Sequence, residues 1–132
     1  MIISKIKKIL LILPILVLTQ CYTDPFFELT VNVVDQNLNP ISNAIVKTVS
    51  DTKNDTLLDY INQSEITNGD GKAFFTFENK AFLTVIACYD NSMSGIEGDE
   101  FLCKEGQIYL EENINKNITL MLQGDCDNEY CF

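Results

Sequence analysis

The sequence predicts an all-β protein: an antiparallel Greek-key β-sandwich of about seven strands, following a short N-terminal export segment. Three observations carry this. Beyond residue 25 the apolar residues recur with period two, and no stretch there has the 3.6-residue period of an amphipathic helix. The short apolar runs are separated by clusters of Asn, Asp, Gly and Pro, which favour turns through local hydrogen bonding and a fixed φ. The chain beyond residue 20 is long enough for one hydrophobic core and too short for two.

Taken in order, residues 1–20 come first. Lys5, Lys7 and Lys8 precede the apolar run Ile9 to Leu18, the charged and apolar regions of a secretory signal. A spanning helix needs about 20 apolar residues, and this run has ten with Pro14 inside it, so it is too short to cross a membrane. The following Leu18-Thr19-Gln20-Cys21 resembles the lipobox of bacterial lipoproteins, with Gln20 standing where Gly, Ala or Ser is usual. The resemblance implies a signal peptide over 1–20, lipidation of Cys21, a tether over 21–25 and a protein anchored in the membrane of the bacterial cell envelope. Tyr22, where an aspartate often marks inner-membrane retention, tilts that expectation toward the outer membrane. The alternative is an ordinary signal cut nearby, leaving Cys21 as a free or paired thiol.

Five cysteines are an odd number, and exported proteins tend to avoid unpaired thiols. With Cys21 given to lipid, Cys88, Cys103, Cys126 and Cys131 remain for two disulfides, and three connectivities are open. Proximity in sequence favours Cys88 with Cys103 and Cys126 with Cys131. A zinc site is not expected, because the chain has no histidine and no Cys-x-x-Cys pair.

The sandwich domain is expected over 26–123, with a cysteine-containing tail over 124–132. Phe27, Leu29, Val31 and Val33 alternate with Glu28, Thr30 and Asn32, the pattern of a strand with one buried face. Gln36 to Pro40 supplies a turn, and Ala44 to Val49, rich in β-branched residues, a second strand. Asp51 to Asp55 ends it, and Leu57 to Ile61 fits either a short strand or a helical turn. Thr67-Asn68-Gly69-Asp70-Gly71 offers glycines for positive φ in a tight reversal leading into Ala73 to Phe77. Phe82 to Tyr89 is apolar on both faces and is therefore expected to be central. Asp90 to Gly106, with several acids and three glycines, is expected to be a long excursion loop closed by Cys103, the kind of segment where function tends to sit. Ile108 to Leu110 and Ile118 to Leu122 complete the strands.

Leu29 to Asp35, Asn39-Pro40-Ile41, Asn43 to Val46, Thr67 to Gly71 and Lys72-Ala73-Phe74 together resemble the carboxypeptidase regulatory-like, or transthyretin-like, domain, an Ig-like sandwich. The likeness covers residues 30–90 and reaches weakly to Ile118–Leu122. Asn39 and Asn43 stand where that family usually has glycine, and Cys88-Tyr89 where it has Gly-Tyr. These are turn and packing signatures, so the resemblance implies a fold and brings no catalytic residues.

All nineteen acids lie beyond Cys21 and three of the nine lysines before it, so six lysines face nineteen acids and the chain from Cys21 onward carries −13. There is no arginine, and such a surface repels the phosphates of nucleic acid. Without histidine, Ser-His-Asp and Cys-His nucleophile systems are excluded. Glu97, Asp99 and Glu100 could pair for glycosidase-type chemistry, but adjacent acids in a loop are more often solvated. Calcium would find oxygens on Asp90, Asn91, Glu97, Asp99 and Glu100, with Asp125, Asp127 and Glu129 near the end, although no EF-hand spacing is present. Solvated acids are the favoured reading and no cofactor is expected. Asp55-Thr56-Leu57 resembles the O-glycosylation signal of Bacteroidetes-type bacteria, which would place a sugar on Thr56. The resulting expectation is a non-enzymatic, lipid-anchored binding or accessory module with a protein or glycan ligand. The alternatives are an envelope assembly factor working by strand addition and a calcium-binding surface domain.

Overall fold

The computed structural model describes residues 21–50, 61–91, 101–124 and 131. Seven strands run through them: β1 (Phe27–Val34), β2 (Ile45–Ser50), β3 (Gln63–Ile66), β4 (Lys72–Phe77), β5 (Phe82–Asp90), β6 (Phe101–Tyr109) and β7 (Ile114–Met121). They form a three-stranded sheet, β4-β1-β7, packed on a four-stranded sheet, β3-β2-β5-β6. This is the expected β-sandwich, and among the described residues it contains no α-helix.

The alternation in β1 decides its faces: Phe27, Leu29, Val31 and Val33 turn inward and are buried. They meet Ala73, Phe75 and Phe77 of β4 and Leu120 of β7 from their own sheet, and Val46, Leu83, Val85 and Ala87 from the other. Each Val, Leu or Phe among them, fully removed from water, stabilises the fold by about 1.5–3 kcal/mol. β5 is central as expected, lying between β2 and β6, and its other face buries Ile86 and Cys88. Gly106 of β6 faces β7 of the other sheet with no room for a side chain. A Cβ there would stand 2.8 Å from Cδ1 of Ile118 and 2.9 Å from Cδ2 of Leu120.

Three features depart from expectation. First, the pairing is not wholly antiparallel, because β1 and β7 run parallel with Phe27 opposite Ile114. The turn after β6 carries the chain from one sheet to the other at the end where β1 begins, so β7 must run in the direction of β1. A period-two pattern reports which face is buried and is silent on direction. Second, the expected loop from Asp90 to Gly106 is shorter, since β6 begins at Phe101 and pairs with β5 along nine residues. On this edge strand Leu102 and Ile108 pack on the core, but Lys104 and Gly106 share their face and dilute the pattern. Third, β3 was not anticipated: Gln63 to Ile66 is an exposed edge strand with no apolar alternation to announce it. Of the ambiguous segment Leu57 to Ile61, only Ile61 lies within the described residues, as a buried turn residue.

The turn from Thr67 to Gly71 joins β3 to β4 and thus one sheet to the other. Its closure depends on Asn68, whose Oδ1 accepts the N–H groups of Asp70 (2.9 Å) and Lys72 (3.1 Å), while its carbonyl accepts that of Gly71 (2.9 Å). Gly71 alone of its two glycines needs to be glycine. Its φ is 70°, and a Cβ would stand 2.7 Å from the carbonyl oxygen of Val33. Nothing lies within 4 Å of the corresponding position on Gly69. Asn43 has a φ of 61°, the left-handed conformation that Asn adopts more readily than most residues. Beside it the buried Thr67 hydroxyl accepts the N–H of Ala44 (2.9 Å) and donates to the carbonyl of Ile41 (2.7 Å).

These contacts rank three substitutions. Thr67→Val leaves one buried donor and one buried acceptor unpaired and should lower stability by about 2 kcal/mol or more in denaturant unfolding. Gly71→Ala should cost at least as much through its left-handed φ and the contact with Val33. Asn43→Gly, at a position that already has a positive φ, should be close to neutral.

Candidate functional site

The end of the sandwich where β1 finishes also holds the starts of β2 and β6 and the finish of β5. After Val34 the chain reverses around Asp35. Its Oδ1 accepts the N–H groups of Asn37 (2.8 Å) and Asn39 (2.9 Å), and its Oδ2 accepts Nδ2 of Asn39 (3.1 Å). The Asp35 N–H donates to the Asn39 carbonyl (2.9 Å) and its carbonyl accepts from Leu38 (3.0 Å), which takes up the positive φ of 64° in this turn. A bridge between Val34 and Pro40, with the N–H of Ile41 donating to the carbonyl of Val33 (2.9 Å), lays residues 40–42 against the end of β1. From the other sheet come Tyr89 and Leu102, directly opposite one another in the β5–β6 pairing and both packed on the core. Together Asp35, Pro40, Ile41, Ser42, Tyr89, Asn91 and Leu102 line a cleft of about 390 Å³.

The lining mixes aliphatic walls from Pro40, Ile41 and Leu102 with the Ser42 hydroxyl, the Tyr89 phenol, the Asn91 amide and one carboxylate. Hydrogen bonds from Asn39, first from its backbone and then from its side chain, hold the Asp35 carboxyl below its ordinary value of 3.8, with the Asn37 N–H adding to the effect. Asp35 is thus an anion whose oxygens are already engaged, unsuited to donate a proton at neutral pH. Among the described residues of the lining it is the one acid. Apolar walls with a few convergent polar groups suit the holding of a polyhydroxylated or peptide ligand.

The structure also places the cysteines. Cys88 is bonded to Cys131, with an S–S distance of 1.98 Å and a Cα–Cα distance of 6.0 Å. This corrects the proximity pairing: Cys103 faces Cys88 across β5–β6, yet Cys88 bonds the tail residue 43 positions away. Nearness in sequence says little here, because Cys131 lies buried against Ile86 and Cys88 on the outer face of β5, with Val49 and Cys103 alongside. Nζ of Lys47, on the same face, donates to the Cys131 carbonyl (2.8 Å). Cys103 is also disulfide-bonded. The remaining cysteine, Cys126, lies outside the described residues. Cys21 is a free, exposed thiol.

Of the proposed calcium ligands, Asp90 closes β5 opposite Phe101. Glu97, Asp99 and Glu100 lie outside the described residues, as do Asp125, Asp127, Glu129 and the candidate glycosylation site Thr56. Among the described residues no three metal-binding side chains come together. Sequence reasoning named Asp35, Pro40, Ile41 and Tyr89 only as fold signatures and passed over Ser42 and Leu102. The signal that was there is the Asp-x-x-x-Asn-Pro spacing of residues 35–40, which predicts an Asx-type turn and so a fixed carboxylate at a strand end.

Compared with known proteins, the chain matches no family model and no curated protein.

Two outcomes follow. Peptide mapping without reduction should recover the Cys88 and Cys131 peptides joined. Cys131→Ser should then lower stability by about 4 kcal/mol in the chain-entropy account of a loop of this length. Because the Asp35 carboxyl is depressed in the folded state, the turn's stabilisation is complete above the ordinary carboxylate value and is lost as pH falls through the lower folded value. The protection of the Asn37 and Asn39 amides, corrected for their intrinsic exchange rates, should therefore fall as pH drops through the lowered Asp35 value, and Asp35→Asn should remove that fall.

Proposed function

We propose that the protein is a bacterial lipoprotein whose sandwich, of the carboxypeptidase regulatory-like type, is held at the cell envelope by a lipid on Cys21 and binds a glycan or protein ligand without turning it over. The observation that carries this reading is the position of the cleft. The exposed segment from Cys21 enters β1 at Phe27, and the cleft is built from residues beyond Val34 at the other end of that strand. Eight residues at about 3.4 Å each put the ligand-holding end roughly 25 Å from the tethered one, clear of a lipid headgroup layer. With Tyr22 following the lipidated cysteine, the outer membrane is the favoured site. The absence of histidine from the sequence and the engaged state of Asp35 support holding over chemistry.

One observation favours a second reading, assembly by strand addition. Cys103 gives both its N–H and its carbonyl to Gln123 (2.9 and 3.1 Å), so by the alternation of an antiparallel pair Glu105, Gln107 and Tyr109 also point their backbone groups away from β5. Among the described residues nothing pairs with that stretch of edge, which an extended partner segment could occupy.

A photoreactive phenylalanine analogue at Ser42, at Gln107 or, as a control, at Thr76 on the outer face of the other sheet separates the two in intact cells. Capture of one ligand from Ser42 alone is expected. Capture from Gln107 alone would turn the assignment to assembly, and no capture above the Thr76 background from either would sink both.

A further inference from the structure

Most of the large apolar side chains that the described residues leave exposed gather at the tethered end. Phe26 is 42% exposed, Phe82 46%, Tyr109 48% and Ile114 45%, with Tyr22 at 84% in the tether itself. The strand pairings put them together. Phe27, the neighbour of Phe26, is opposite Ile114, and Phe82 is opposite Tyr109. The turn between β6 and β7 ties the two sheets at this end: the N–H of Leu110 donates to the carbonyl of Ala81 (2.9 Å), and that of Asn113 to the carbonyl of Phe26 (2.8 Å). The Asn113 side chain in turn accepts the N–H of Phe26 (3.3 Å). The four side chains thus sit on one braced end. The other exposed large apolar residues lie elsewhere, Leu38 in the Asp35 turn, Ile66 at the cleft end of β3 and Phe74 midway along the outer face of β4.

We infer that this end of the sandwich is seated in the membrane–water interface, with Phe26, Phe82, Tyr109 and Ile114 among the lipid headgroups. The inference rests on the anchor at Cys21. The tether decides the occupant: five residues from Cys21 to Phe26 span at most about 17 Å when fully extended. A lipidated Cys21 therefore holds Phe26 and its neighbours within reach of the headgroup layer at all times. Tethering raises the effective concentration of the surface at this end, so contacts too weak to bind a membrane alone suffice to orient the domain. Phenylalanine and tyrosine suit the interface because their rings are apolar while the tyrosine hydroxyl remains wet. Charge selects the lipid. At this end the exposed Glu78, Glu111 and Glu112 outnumber the exposed Lys80, and Lys116 is tied to Glu111 (2.7 Å), so the net negative surface is suited to zwitterionic and not to anionic headgroups.

The chain has no tryptophan, so a single one introduced as a reporter can be followed by fluorescence. The processed protein is extracted from membranes, its intact mass checked for an acyl-glyceryl group on Cys21, and it is returned to phosphatidylcholine vesicles brominated near the headgroup. Quenching of the Tyr109→Trp variant by half or more is expected, with Leu38→Trp at the cleft end unquenched. Phe82→Trp provides the same report should Tyr109→Trp fail to fold. Adding Phe82→Ser and Ile114→Ser to Tyr109→Trp should reduce its quenching severalfold while leaving the Cys88–Cys131 bond intact. A correctly lipidated, vesicle-bound protein with both ends equally unquenched would overturn the seating and leave the anchor standing. A mass without lipid would overturn the anchor, and the seating with it.

Discussion

The hydrogen bonds made by Val33 and Val34 at the end of β1 hold three separate excursions of the chain in place. The N–H of Val33 donates to the Gly71 carbonyl (2.8 Å), the Val33 carbonyl accepts from Ile41 (2.9 Å), and the Val34 carbonyl accepts from Leu122 (2.9 Å). One bond fixes the turn leading into β4, one the lead-in to β2, and one the exit of β7. The approach is so close that Gly71 has no room for a side chain. The Val33 and Val34 side chains set this strand end: Val33 is wholly buried, and β1 is flanked on both sides, so it cannot slip without exposing an entire apolar face. The cleft is a by-product of that node, because Pro40, Ile41 and Ser42 stand where they do only while Ile41 is bound to Val33.

The outer faces of the two sheets are finished differently. On β1 and β7 the exposed side is a polar ladder: the Thr30 hydroxyl donates to Oδ1 of Asn115 (3.1 Å), and Nδ2 of Asn115 donates to Glu28 (3.1 Å). Such a face is content in water. The outer face of β5 is not, since Ile86 and Cys88 lie there and are buried, and Cys131 packs on them and is bonded to Cys88. A domain of this size that carries many more acids than lysines is opposed by its own charge when compact. The disulfide that holds Cys131 there is a stabilising device that does not add charge.

The fold was legible where apolar residues alternate on a strand that is flanked on both sides. β1 and β5 were placed to within a residue, down to which side chains share a face, because burial on one or both sides leaves a regular trace. The edges were not legible. β3 has almost no buried surface, the first half of β7 is exposed and polar, and β6 spends one face on Lys104 and Gly106. Strand direction was lost for a related reason, as the parallel pairing of β1 and β7 follows from a change of sheet that no local pattern encodes. Asn43 was legible as a departure from glycine, and its left-handed φ explains why asparagine serves there. The cleft was least legible of all. Its residues come from two turns and the ends of two strands, and each has a local reason to be present, so only their convergence in space marks them as a site.

That convergence bears on where function can reside. A sandwich has two outer faces, four edge strands, here β4, β7, β3 and β6, and two ends. Here one face carries a polar ladder and the other carries the disulfide-bonded Cys131 over Ile86 and Cys88, while the long edge at β6 is interrupted where Cys103 bonds Gln123. The two ends differ in chemistry: one exposes Phe26, Phe82, Tyr109 and Ile114 beside the segment that leads back to Cys21, and the other sets hydroxyl, phenol, amide and carboxylate groups around aliphatic walls. The strands between them hold the hydrophobic core that joins the two sheets. An axis built this way transmits orientation: a constraint applied at the Phe26 end fixes the direction in which the Ser42–Tyr89 cleft opens. The buried core of β1 and β5 thus acts as a spacer between the two ends as well as the source of stability.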